Sequence, residues 1–258
     1  MLEIAKITIK EFFRMKILYA GLVVWILLIL FSYILDSLTI NQWSKVIVDF
    51  SLSMIELFSL ILTLFLWAYM LYNEFTKKTI LLILSKLEKK YHFILGKFLW
   101  FAFILLLVYV IFTIWFIVSL FLHNLDFHFY YIQAIVLSYF KILVVLAFIV
   151  FFSTFVSPFL SLIASLFVYF VAHSTSFMYF FANSSMSKSM PEFTRKLIEA
   201  TYYILPNFQD LSMKEYFLSP YLGNYSNFHF LISLWAWTLV YIFILLFFAS
   251  FIFNKKEF

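Results

Sequence analysis

Cysteine is absent from the 258 residues, and only three glycines and four prolines occur among them. The first absence excludes disulfides and thiolate metal centres, and it says nothing of compartment. Scarce glycine and proline leave little material for flexible linkers, so the chain reads as a single domain over residues 1–258. A phosphate-cradling loop of the form G-x-x-x-x-G-K-[ST] is missing too, because its backbone amides must approach the phosphates closely. The glycines stand at 21, 96 and 223; Gly96-Lys97 is followed by Phe98 and has no earlier glycine in place. Nor does any Ser/His/Asp set or carboxylate pair suggest catalysis, so the chain is not read as an enzyme. Charge is thin as well, at 12% of residues, where soluble domains carry roughly 25%.

What is present is apolar: 66% of residues are hydrophobic and 24% aromatic. Several runs approach or exceed the roughly 18–20 apolar residues that cross a ~30 Å hydrocarbon layer. The expectation is an all-α integral membrane protein with six transmembrane helices, at about 17–35, 52–72, 98–122, 132–156, 159–182 and 228–253. Uniformly apolar runs argue against the alternating short strands of a β-barrel. The opening MLEIAKITIKEFFRMK is charged throughout, and no small-residue cleavage site closes the following apolar run, so no signal peptide is expected.

Lys/Arg asymmetry sets the expected orientation. With the N-terminus inside, twelve basic residues face the cytoplasm (Lys6, Lys10, Arg14, Lys16, Lys77, Lys78, Lys86, Lys89, Lys90, Lys97, Lys255 and Lys256). Five face outward (Lys45, Lys188, Arg195, Lys196 and Lys214), and Lys141 falls within a span. Both termini are thus expected to be cytoplasmic. The net charge of +5 resolves into these membrane flanks, so no nucleic-acid partner is expected.

Between spans four and five lies only the turn STFVSP, where Pro158 suits the first turn of a helix. Spans five and six are joined by an outer loop over 183–227. Within it, Phe193, Leu197, Ala200 and Ile204 recur at helical spacing, which predicts an interfacial helix over 191–203 lying on the outer leaflet. Pro206-Asn207 then breaks that helix and can turn the chain back toward the membrane.

Two segments on the expected inner side are amphipathic. Residues 1–16 mix Ile4, Ile7 and Phe12 with Lys6, Lys10, Glu11 and Arg14, suiting an interfacial helix among anionic headgroups, either as a plain anchor flank or as a lever on a partner. The second runs over 73–97, where seven charged residues fall between Glu74 and Lys90. Ile80, Ile83, Leu84, Leu87, Tyr91 and Ile94 line one helical face, and Ser85, Lys86, Glu88, Lys89 and Lys90 lie mostly on the other. Too short and too charged to cross a bilayer, it either lies on lipid or docks a protein.

At these residues the sequence resembles the permease subunits of ABC-2 type transporters. There the second span is followed by a pattern close to E-x-x-x-G-T-L, then L-L-S-x-P-x-S-R, then G-K. Here Glu74 fills the acidic position, Thr79-Ile80 the Thr-Leu pair, Leu84-Ser85 the Leu-Ser, Lys90 the basic position and Gly96-Lys97 the closing pair. Lys78 replaces the usual glycine and Leu87 the usual proline, so the turn should be more continuously helical. IAKITIKEFFRMK (residues 4–16) looks like the family's N-terminal helix, YYILPNFQDL (202–211) like its Leu-Pro-Asn element, and FNKKEF (253–258) like its basic end.

The resemblance implies a coupling helix between spans two and three that fits a separate cytoplasmic ATPase chain. Its contacts would fall on Glu74, Lys77, Lys78, Thr79, Ser85, Lys86, Glu88, Lys89 and Lys90. ATP and magnesium would bind that partner and no cofactor this chain. It also implies a dimer with a second permease copy or a paralogue, export as the direction, and the bacterial inner membrane as location. The alternatives are an ATP-independent channel or secondary carrier, or a membrane subunit of a mechanotransmitting or metalloenzyme-maturation complex.

Three polar side chains inside expected spans are candidates for a route or a structural contact. Glu56, placed a turn inside the second span, and Lys141, in the fourth, either mark a pathway or link their spans; alternatively Glu56 snorkels to the outer interface while Lys141 pairs structurally. His173 neighbours Ser174, Thr175 and Ser176 and reads as an interhelical hydrogen-bonding group or a proton relay. In the outer loop HNLDFH, His123, Asp126 and His128 carry metal-capable side chains, though such residues commonly cap and solvate a helix end. Trp43, Trp100, Trp235 and Trp237 read as interfacial belt or packing.

Overall fold

Hydrocarbon offers backbone N–H and C=O groups no partner, so apolar runs of this length fold as helices that satisfy their own ladders. The computed structural model describes residues 43–76, 91–184, 191–212 and 228–255, and every regular element among them is a helix. They are α1 (Trp43–Thr76), α2 (Tyr91–Leu122), α3 (Phe129–Ser153), α4 (Pro158–Asn183), α5 (Glu192–Ile204) and α6 (Phe228–Asn254). Among the described residues, five stretches are long and apolar enough to cross a membrane: Val46–Trp67 in α1, Leu231–Asn254 in α6, and α2, α3 and α4 over their whole lengths. The protein is an all-helical membrane protein. The expected first span at 17–35 and the amphipathic helix at 1–16 lie outside the described residues.

Two helices extend well past their expected ends. α1 begins at Trp43 where hydropathy places the second span's start at 52, because Lys45 and Asp49 look like a boundary. A helix with satisfied backbone carries such charges through its first turns without stopping. α2 begins at Tyr91 against an expected 98, so Tyr91 and Ile94 belong to a long apolar helix, with Ile94 buried. Lys97, counted among solvated basic residues, is buried too, with its ammonium 4.5 Å from the Phe93 ring centre. What separates α1 from α2 is therefore only 77–90, which lies outside the described residues.

Helix ends are set locally. α2 stops in a Schellman motif: the Leu125 N–H donates to the Leu120 carbonyl at 2.9 Å and the Asn124 N–H to the Phe121 carbonyl at 3.2 Å. Asn124 holds the required left-handed conformation at φ 52°. Between α3 and α4, Ser157 is the N-cap and Pro158 opens the helix, where its missing N–H costs nothing.

α3 is the central helix and packs against α1, α2, α4 and α6. Successive residues Val144, Val145, Leu146, Ala147, Ile149 and Val150 are almost fully buried, as expected of a helix enclosed on all sides. Ring contacts fix the directions. Phe58 meets Phe112 at 5.4 Å and Trp67 meets Phe101 at 5.1 Å, so α1 and α2 run antiparallel. Phe116–Tyr131 and Tyr109–Tyr139 make α2 and α3 antiparallel, whereas Phe140–Trp235 and Phe148–Tyr241 make α3 and α6 parallel. Phe93 stacks on Phe253, which brings the end of α6 level with the start of α2. One face thus collects the ends of α1 and α6, the start of α2 and the α3–α4 turn.

Hydroxyls within the helices bond back to the preceding turn. Thr63 donates to the Ser59 carbonyl, Thr113 to Tyr109 and Ser165 to Ser161, each at 2.7 Å. This is how a side-chain donor is satisfied without water.

Candidate functional site

A carboxylate and an ammonium meet in the middle of the bundle. Glu56 lies near the centre of Val46–Trp67 and Lys141 at the midpoint of α3, so both sit at the depth where charge is most costly. Lys141 Nζ is 2.6 Å from Glu56 Oε1, and Lys141 is 0% exposed against 3% for Glu56. Glu56 does not snorkel. The start of α1 nine residues before its expected bound puts Glu56 about two and a half turns deeper, and a pair linking α1 to α3 is what forms.

Two hydroxyls complete the cluster. Tyr169 of α4 donates to Glu56 Oε1 at 2.8 Å, and Lys141 Nζ donates to Ser212 Oγ at 2.6 Å. Charge-assisted bonds of this kind are roughly twice as strong as neutral ones. Four segments are thereby tied at one point: α1, α3, α4 and the strand of chain after α5. A neighbouring hydroxyl pair, Tyr109 with Ser138 at 3.0 Å, links α2 to α3. Beside Glu56, Ser138 and Ser212 is a cavity of about 10 Å³, room for at most a single water.

Ser212 reaches this depth because the chain re-enters the bundle. α5 ends at Ile204, as Pro206 requires, and residues 205–212 continue without regular structure. Tyr241, midway along α6, donates to the Ile204 carbonyl at 3.2 Å, so the end of α5 lies level with the middle of α6. The expected flat helix on the outer leaflet is thus drawn down at its C-terminal end. The Phe208 N–H donates to the Ala172 carbonyl at 3.2 Å, and the fully buried Phe208 ring lies 5.7 Å from Tyr169.

Asn207 ties the segment sideways. Its amide donates to Ser176 Oγ at 2.5 Å and to Asp210 Oδ2 at 2.8 Å, while its carbonyl accepts the Gln209 N–H at 3.1 Å. Irregular backbone at membrane depth is tolerated where protein surrounds it and supplies such partners.

His173 joins the array through its neighbour. Its ring stacks on Tyr169 at 6.0 Å and 17°, and it stands on the exposed side of α4. All three intramembrane candidates therefore belong to one connected group: His173, Tyr169, Glu56, Lys141. Sequence reasoning missed Tyr169 and Ser212. Tyr169 sits one turn before His173, a spacing that offered a signal; Ser212, beyond a proline break, offered none.

The outer-loop trio behaves differently. His123 is buried against α2's end, Asp126 is exposed, and His128 stacks on Tyr130 at 4.9 Å. Among the described residues, no three His, Asp or Glu side chains gather where they could hold a metal. Of the candidate ATPase contacts, Glu74 stands in the last turn of α1, and Lys77, Lys78, Thr79, Ser85, Lys86, Glu88, Lys89 and Lys90 lie outside the described residues. No family model matches the chain, and no curated protein matches it.

Proposed function

We propose that this chain is the permease subunit of an ABC-2 type transporter, forming a translocation path as a dimer and driven in export by a separate cytoplasmic ATPase. The observation that supports the reading is the α1–α2 hairpin. α1 has 34 residues and α2 has 32, about 50 Å each at 1.5 Å per residue, against a hydrocarbon layer of ~30 Å. Their antiparallel ring contacts bring Thr76 level with Tyr91. In sequence, residues 77–90 join these two adjacent, over-long helices. A basic amphipathic segment held this way passes rigid-body motion into the bundle.

On this reading the face carrying 77–90 is cytoplasmic, together with the α3–α4 turn and Lys255. The motifs from Glu74 to Lys97 supply the family likeness. The test is Lys86→Glu, Lys89→Glu and Lys90→Glu in one chain, followed by affinity purification from native membranes. A nucleotide-binding chain should accompany the parent and be lost from the variant; retention at parental level refutes the docking role.

An ATP-independent carrier is the second reading, favoured by the Glu56–Lys141 pair, since ionisable groups at membrane depth recur on ion and proton routes. Purified chain in lipid vesicles separates the two. A carrier dissipates an imposed pH or potassium gradient without ATP, and the permease half alone leaves it standing.

A further inference from the structure

The stretch of chain after α5 leaves a groove of about 240 Å³ between itself and α6. On α6 the wall is a single stripe: Leu234, Trp237, Thr238 and Tyr241 stand at i, i+3, i+4 and i+7, one face of a helix. At 1.5 Å per residue the stripe covers about 10 Å of the helix axis. All four residues fall in the first half of the spanning stretch Leu231–Asn254, so the groove lies within one leaflet. Half of a ~30 Å hydrocarbon layer is about 15 Å, and the stripe follows most of it. Membrane helices tilt by only ~20° on average, so the groove runs close to the direction in which lipid tails lie.

The facing wall is apolar, built from Ile204, Leu205, Pro206 and Leu211. The rim is open, with Tyr203 76% exposed and Trp237 71%. The polar side chains behind that rim are already engaged within the protein. Thr238 donates to the Trp235 carbonyl at 2.8 Å, and Tyr241 to the Ile204 carbonyl at 3.2 Å. Asn207 spends its amide protons on Ser176 and Asp210, and Asp210 has a further partner besides Asn207. An occupant therefore need bring no polar group to satisfy donors left open, and nothing in the lining rewards a charged one. The volume is under the ~300–1,000 Å³ of sites that enclose a drug-sized ligand. It fits part of a lipid and not a whole one.

We infer that this groove holds one acyl chain of a membrane phospholipid, lying along α6 between Leu234 and Leu211, with the rest of the molecule in the surrounding leaflet. This goes beyond the permease reading and does not depend on it, since seating a lipid tail needs neither the ATPase nor ATP.

The experiment uses the full chain in phosphatidylcholine nanodiscs doped with a phosphatidylcholine that carries a diazirine midway along one acyl chain. After irradiation, adducts are mapped by mass spectrometry, and each position is compared between parent and variant so that residue chemistry cancels. Leu234→Trp fills the groove from α6. Leu239→Trp puts the same bulk on that helix at an exposed position outside the groove. Adducts over 203–211 should fall severalfold in Leu234→Trp and stay at the parental level in Leu239→Trp. Those at the exposed Phe243 and Phe247 should stay constant in both, which also reports a folded, embedded chain. Where Leu234→Trp disturbs that pattern, the smaller Leu234→Phe decides, and its fall should be the lesser one. A parent without adducts over 203–211 overturns the inference, because protein then fills the groove. So does an equal fall in the Leu234 and Leu239 variants, or no fall in either, which leaves only ordinary lipid contact at the rim. A failed ATPase pull-down leaves all these outcomes unchanged.

Discussion

At the residue scale, the account turns on two charges that neutralise each other out of water's reach. Removing one partner of a buried pair strands the other, and typical penalties are about 3–5 kcal/mol. Lys141→Met should therefore lower stability by about that amount in a denaturant titration of the micelle-bound protein. Adding Glu56→Gln to Lys141→Met should recover part of the loss, because no uncompensated charge remains. If the double variant is no more stable than Lys141→Met alone, the stranded-charge account fails. Tyr169→Phe removes one bond to Glu56 and leaves the pair, so it should cost far less. Interhelical hydrogen bonds in membranes average about 0.6 kcal/mol, and a loss above roughly 2 kcal/mol in the same titration contradicts a purely local role.

Much of this was legible as anomaly. Glu56 and Lys141 stand out because charges are scarce in apolar runs, and a link between their spans was among the readings. Only the depth of Glu56 was misjudged: Lys45 and Asp49 mimic a helix boundary, and periodicity carries no information about where a satisfied backbone stops. Tyr169 offered one signal among seventeen tyrosines, its place one turn before His173. Ser212 meets Lys141 only because of a tertiary path, and no local pattern encodes that path.

At the scale of elements, ends and interruptions decide the architecture. Asn124 closes α2 in the left-handed region at φ 52°, which a β-branched residue adopts only under strain. Asn124→Val should cost about 1–3 kcal/mol in the same denaturant titration, while Asn124→Gly should be close to neutral. Equal effects of both would mean that the backbone conformation is not what matters there. The re-entrant segment rests on Phe208. Since the chain has no cysteine, a single Ser212→Cys reports on its burial without background. In intact membranes it should resist a membrane-impermeant maleimide, and adding Phe208→Ala should raise the labelling rate at least severalfold by freeing the segment. Rapid labelling in the Ser212→Cys chain alone would contradict the insertion.

The break at Pro206-Asn207 was readable from residue type, and so was the helix before it. That the helix dips was not, because the face spacing of Phe193, Leu197, Ala200 and Ile204 suits a flat helix and an inclined one equally. What draws its end inward is the bond from Tyr241 to the Ile204 carbonyl, 37 residues away in sequence.

At the scale of the whole molecule, composition alone establishes a helical membrane protein, and the described residues supply five helices of spanning length. The transport reading is built on top of that, from motif order and from the two over-long antiparallel helices that flank 77–90 in sequence. It requires an assembly: two permease chains and two nucleotide-binding chains joined through that segment. Native mass spectrometry of the protein, extracted from its own membranes in a mild detergent, weighs this assembly directly. The account predicts a four-chain species containing two copies of this polypeptide, which loses its nucleotide-binding chains when Lys86, Lys89 and Lys90 are reversed to Glu. A species made of this polypeptide alone, under conditions that preserve other membrane complexes in the same extract, would contradict it.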